Sequence, residues 1–205
     1  MLENDNDNDI RKKKYFKLSS HIAQFDNTQL CSLLRDSESD ESSSGWGTNN
    51  IIVFGQYKVF VKSIPVTDIE YDKMFSTKNL YNLPTYCSYG FGSTGFGVFR
   101  ELATYIKTTN WVLEGSIATF SIMYHYRIIP FTRHRSDIDR NRLKKYVKYW
   151  GNSENAGQYF WDRANTNYEL VLFLEYIPYV LETWLRENPD KLEKPLDYLR
   201  STIAF

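Results

Sequence analysis

Cysteine is scarce in this chain: Cys31 and Cys87 are the only two among 205 residues. That excludes a disulfide-built secreted scaffold, and the pair shows no metal-ligand spacing. Histidine is nearly as rare. His21, His125 and His134 stand at no ligand spacing from one another, so neither a metal triad nor a nucleophile and base pair can be argued. Net charge is also missing, because 25 basic and 25 acidic residues cancel, and no whole-chain field favours nucleic acid or an anionic membrane. The longest apolar run, roughly 169 to 181, is broken by Glu175 and Pro178 and falls short of the about 20 residues of a membrane helix. The start, Met-Leu-Glu-Asn-Asp-Asn-Asp-Asn-Asp, is too polar for a signal peptide. The expectation is a cytoplasmic, reduced protein with no membrane segment and no nucleic-acid partner.

What is present is apolar and aromatic. The chain is 42% hydrophobic, with 16 Tyr and 13 Phe, enough for one compact domain or one small lobe with attachments. The aromatics lie along β-like stretches and read as sheet packing. Residues 1 to 14, an Asn/Asp run followed by Arg11-Lys12-Lys13-Lys14, have too little apolar surface to fold and read as a disordered tail. Residues 15 to 43 read as an N-terminal extension, with a short helix or strand pair between Leu18 and Leu34 and then a flexible, acidic, Ser-rich segment.

Two β-rich runs, Asn50 to Phe54 and Lys58 to Ile64, flank Gly55-Gln56-Tyr57, the mark of an antiparallel hairpin. A helix is expected from Val98 to Thr108 with Glu101 near its start, strand material from Ile117 to Ile129, a basic helix over 138 to 150, and a buried strand from Glu169 to Tyr176. A short helix from Leu181 to Glu187 follows, and Leu196 to Phe205 has helical spacing.

The chemistry centres on Lys62, which ends Val59-Phe60-Val61-Lys62 after the loop Gly45-Trp46-Gly47-Thr48-Asn49-Asn50. Strand alternation puts Phe60 and Lys62 on one face. Glycine loop, hairpin lysine, downstream helix glutamate and the later strand Leu172-Phe173-Leu174-Glu175-Tyr176-Ile177-Pro178 together resemble the small lobe and hinge of the protein-kinase-like superfamily, in its bacterial protein-kinase form. Val-Phe-Val-Lys is similar to that family's Val-Ala-Ile-Lys, and Asn50 stands where its third glycine would be.

The resemblance covers 44 to 205 and implies an α+β fold: a twisted antiparallel sheet with a glutamate-bearing helix over 44 to 178, interrupted by the inserted basic helix, and an incomplete large lobe over 179 to 205. It implies ATP and Mg²⁺ as cofactors. Lys62 would orient phosphates, Glu101 would orient Lys62, Gly45 and Gly47 would cover the nucleotide, and the backbone at Glu175, Tyr176 and Ile177 would receive adenine. Glu70 competes with Glu101 as the lysine's partner, since 39 residues separate Lys62 from Glu101.

Other motifs fit less well. Gly90-Phe91-Gly92-Ser93-Thr94-Gly95 satisfies Gly-x-Gly-x-x-Gly, yet no Val/Ile-rich strand precedes it and no βαβ repeat follows, so a dinucleotide fold is rejected. His134-Arg135-Ser136-Asp137 with Asn141 mimics a kinase catalytic loop but has an extra residue and precedes the hinge. Neither an aspartate-bearing catalytic loop nor Asp-Phe-Gly follows Ile177, and the chain reads as truncated before them. Two functions stay open: a fragment of an enzyme that transfers the ATP γ-phosphate to protein Ser/Thr hydroxyls, inactive alone, or a non-catalytic nucleotide-binding or protein-interaction module, with the missing large lobe or another protein as partner.

Overall fold

A computed structural model describes residues 2–35, 39–40, 47–89, 97–130, 140–179, 181–191 and 193. In chain order the elements are α1 (Leu2–Ala23), α2 (Asn27–Arg35), β1 (Ser39–Asp40), β2 (Thr48–Phe54), β3 (Tyr57–Val66), α3 (Asp68–Asp72), α4 (Tyr86–Tyr89), α5 (Val98–Glu114), β4 (Met123–Pro130), α6 (Arg140–Tyr149), α7 (Glu154–Ala164), β5 (Tyr168–Glu175) and α8 (Leu181–Glu187), followed by a 3₁₀ turn, Pro189–Lys191. The fold is α+β. Its strands form one antiparallel sheet in the order β1-β2-β3-β5-β4, with β1 a two-residue edge.

The hairpin expected around Gly55 closes through that glycine at φ 61°, a conformation glycine adopts without a Cβ penalty. Alternation then sorts the side chains. Ile52, Phe54, Val59, Val61, Val171 and Phe173 face one way and pack under Leu18 and Ile22 of α1 and Leu30 and Leu34 of α2. Ile64, Leu170, Leu172 and Leu174 face the other way and pack against Val98, Phe99 and Leu102 of α5. Glu101 is carried on that second layer.

The first layer corrects the expectation of a disordered tail over residues 1–14, and it has helix, the end of α1 and then α2, where a short helix or strand pair is expected between Leu18 and Leu34. The chain from Leu2 is helical rather than a disordered tail, and α1 and α2 form one wall of the sheet's core. The reason is a stripe at 11, 15, 18 and 22, spaced four, three and four residues apart, which one helix face presents together. Leu18 and Ile22 are buried on it and Tyr15 packs at its edge.

A third cluster, Tyr81, Leu83, Cys87, Trp150, Ala156, Tyr159 and Phe160, joins the segment between β4 and β5 to residues 81–87. The expected basic helix is there as α6, with no buried residue of its own. It is followed by α7, which the sequence reading did not anticipate although Ser153 caps it by accepting from Ala156 N–H. Both cysteines are free thiols. Among the described residues no helix is long and apolar enough to cross a membrane. The helical spacing noted over 196–205 lies outside the described residues.

Candidate functional site

Lys62 sits near the middle of β3, which pairs with β2 on one side and β5 on the other, opposite Asn49 and Leu172. Its ammonium meets the Glu101 carboxylate at 2.5 Å, Nζ to Oε1. The side chains are 29% and 19% exposed, so the pair is ordered by its surroundings yet open to a ligand. Glu101 lies in the first turn of α5, where the helix dipole favours a carboxylate.

The competition between Glu101 and Glu70 is resolved by what Glu70 does instead. Glu70 is buried and closes a capping box at the start of α3: its Oε2 accepts from the N–H and hydroxyl of Thr67, while its own N–H donates to the Thr67 hydroxyl. Its other oxygen accepts from Val98 N–H, at 3.3 Å, and from the Tyr159 hydroxyl. Tyr159 in turn accepts from Gly97 N–H. Glu70 thereby caps α5, which has no side-chain cap of its own at Gly97, and holds the turn that carries Glu101. Burial pushes the Tyr159 phenol up to about 12, so it stays a neutral donor to Glu70.

Gly47 stands just before β2. A Cβ there would lie 2.5 Å from the Ser63 carbonyl oxygen, so close backbone approach beside Lys62 accounts for this glycine. Gly45, its expected companion, lies outside the described residues. So do the Gly90–Gly95 loop and the His134 to Asp137 segment.

At the end of β5 Glu175 anchors the strand through both its N–H and its carboxylate. Its N–H donates to the Ile122 carbonyl at 2.7 Å, and its carboxylate binds Arg11 through two hydrogen bonds and accepts from Ile122 N–H. Arg11 also donates to the carbonyls of Ala118 and Phe120. Sequence reasoning missed Arg11 because it was assigned to a tail; its place on the 11-15-18-22 stripe is the signal that could have found it. Tyr176 is half-buried beneath the Lys58 ammonium, 5.4 Å from the ring centroid, and Ile177 is 55% exposed.

Beside Lys62, toward the end of β5, lies an apolar shelf. Cross-strand partners share a face, so the register places Ile51 and Val53 of β2 beside Phe60 and Lys58 of β3, with Leu174 of β5 beyond. Ile51 and Val53 are 42% and 59% exposed. An ion pair at one end of the shelf is suited to an anionic group.

Glu101 is engaged by Lys62, and among the described residues no three His, Cys, Asp or Glu side chains converge. Compared with protein-family models, with curated proteins and with solved structures, the chain gives no match.

Proposed function

We propose that this chain is a protein-kinase-like small lobe whose function is to bind ATP, with Lys62 on the α- and β-phosphates and Glu101 orienting Lys62. The observation that carries the reading is the 2.5 Å Lys62–Glu101 pair, made between the central strand and a helix 39 residues on. Charge-assisted contacts of this kind are strong and directional, and a carboxylate that fixes an ammonium on a cleft-facing strand prepares it for phosphate. The run of lysine hairpin, glutamate helix and two further antiparallel strands supports the same reading.

The family's reaction would be transfer of the γ-phosphate to a protein Ser/Thr hydroxyl. In this chain the proposal extends to nucleotide binding only. The sequence after Ile177 supplies neither the aspartate base nor Asp-Phe-Gly, and positioning without them lacks the main electrostatic contributions to that transfer. Magnesium enters as the companion of ATP.

The test is calorimetric titration of the chain with Mg-ATP beside Lys62→Ala. Binding that the substitution weakens supports the reading. No binding by well-folded protein favours the second reading, a protein-interaction module, for which the exposed Ile177 and Tyr179 at the end of β5 offer apolar surface. Phosphotransfer by the chain alone is expected to be negligible; time-dependent ATP consumption abolished by Lys62→Ala would overturn that restriction.

A further inference from the structure

We propose that Phe60 is a specificity-determining residue that closes this site to the nucleotide base while leaving the phosphate end open, an inference that rests on the nucleotide-binding reading above. On the face that carries Lys62, successive rows of the sheet are Lys62 opposite Leu172 and then Phe60 opposite Leu174. The strand ends follow, with the Lys58 ammonium over Tyr176. Rows on one face are about 7 Å apart, twice the rise per residue. A ligand with its phosphates on Lys62 and its base at Tyr176 and Ile177 must therefore cross the Phe60 row.

Side chains on a strand stand roughly perpendicular to the sheet. A phenyl group on the central strand rises into the layer in which a flat base would lie. The ring is not free to swing aside: it is half-buried and packs against the cluster that includes Leu172, Leu174 and Leu102. Its neighbours on β2, Ile51 and Val53, remain exposed on the same face, so the shelf is open at its edge and filled at its centre. Lys62 and Glu101 lie one row further on and are already paired, so the phosphate end does not depend on the base to assemble it. The ligand class that this arrangement takes best is a polyphosphate whose attached group contributes little to affinity.

The experiment titrates Mg-ATP and Mg-tripolyphosphate into four proteins: the unmodified chain, Phe60→Ala, Phe60→Val and Lys62→Ala. Phe60→Val places a β-branched side chain, well suited to a strand, on the central strand and guards against loss of folding in the alanine variant, with circular dichroism checking each. The expected result is that the unmodified chain binds both ligands within about threefold of each other. The folded Phe60 variants should bind Mg-ATP about tenfold more tightly, the scale on which filling or emptying an apolar pocket acts, with tripolyphosphate unchanged. Unchanged Mg-ATP affinity in folded Phe60 variants, with Lys62→Ala weakening both ligands, overturns the role of Phe60 and leaves the nucleotide reading standing. Weaker Mg-ATP binding with tripolyphosphate unchanged makes Phe60 a stacking support and also overturns the proposal. No binding of either ligand by any folded protein overturns the nucleotide reading and this inference together.

Discussion

Arg11, in the first half of α1, grips the carboxylate of Glu175 at the last residue of β5, with Nη2 to Oε2 at 2.6 Å and Nε to Oε1 at 3.1 Å. The side chains are 16% and 10% exposed. The same guanidinium reaches the Ala118 and Phe120 carbonyls, so one side chain joins the N-terminal helix, the approach to β4 and the end of β5. Glu175 is the anchor by which the N-terminal helix holds the end of β5.

Arg11→Ala leaves Glu175 with Ile122 N–H and no cation. Removing one partner of a largely buried pair costs about 3 kcal/mol. The midpoint of urea unfolding should fall with its slope unchanged, and a shift worth under about 1 kcal/mol would show that α1 holds the sheet through Leu18 and Ile22 alone.

The two glutamates near the lysine should separate by what they destabilise. Thr67→Ala removes the cap of α3 and costs about 1 kcal/mol. Glu70→Ala strips the acceptor from Thr67 N–H, Val98 N–H and the Tyr159 hydroxyl and costs about 2–3 kcal/mol. Glu101→Ala, at a pair open to solvent, should change stability by under about 1 kcal/mol. Urea unfolding of the three variants checks the order; a Glu101→Ala loss as large as that of Glu70→Ala would make the Lys62 pair a structural one.

Gly47→Ala forces a Cβ against the Ser63 carbonyl oxygen. Overpacking against backbone costs about 1–3 kcal/mol, and the thermal midpoint should drop accordingly. An unchanged midpoint would mean that the approach of β2 to β3 has slack at this point.

Acid should weaken the fold partly through His125. Burial, with Arg127 nearby adding to it, lowers its pKa below the ordinary 6.5. Below 6.5 the unfolded chain takes up this proton before the folded one does, so stability falls as pH drops from 6.5 toward the lowered folded value and levels off beneath it. His125→Gln should flatten the stability profile between about pH 7 and 5. A profile identical to that of the unmodified chain would place the acid sensitivity on the carboxylates.

Much of the sheet was legible from local pattern. The Gly55 hairpin, the lysine strand, the glutamate helix and α8 follow from alternation, turn glycine and apolar spacing, and the Lys62–Glu101 pair could be named before any geometry. What was not legible depended on contacts distant in the chain. The Asn/Asp composition of residues 1–14 hides a helix whose stability comes from packing Leu18 and Ile22 on the sheet, and Glu70 and Arg11 acquire their roles from partners 28 and 164 residues away. The helix from 98 also runs six residues past its expected end at Thr108, to Glu114, where Gly115 at φ 84° stops it.

The central claim, that Lys62 and Glu101 act as one phosphate-orienting unit, is tested most directly by a double-mutant cycle on Mg-ATP affinity with Lys62→Ala, Glu101→Ala and the double variant. Each single substitution should weaken binding, and Glu101→Ala should have no further effect once Lys62 is gone, the non-additivity expected of residues that work through one contact. Equal Mg-ATP affinity in all four proteins, or two losses that simply add, would contradict it.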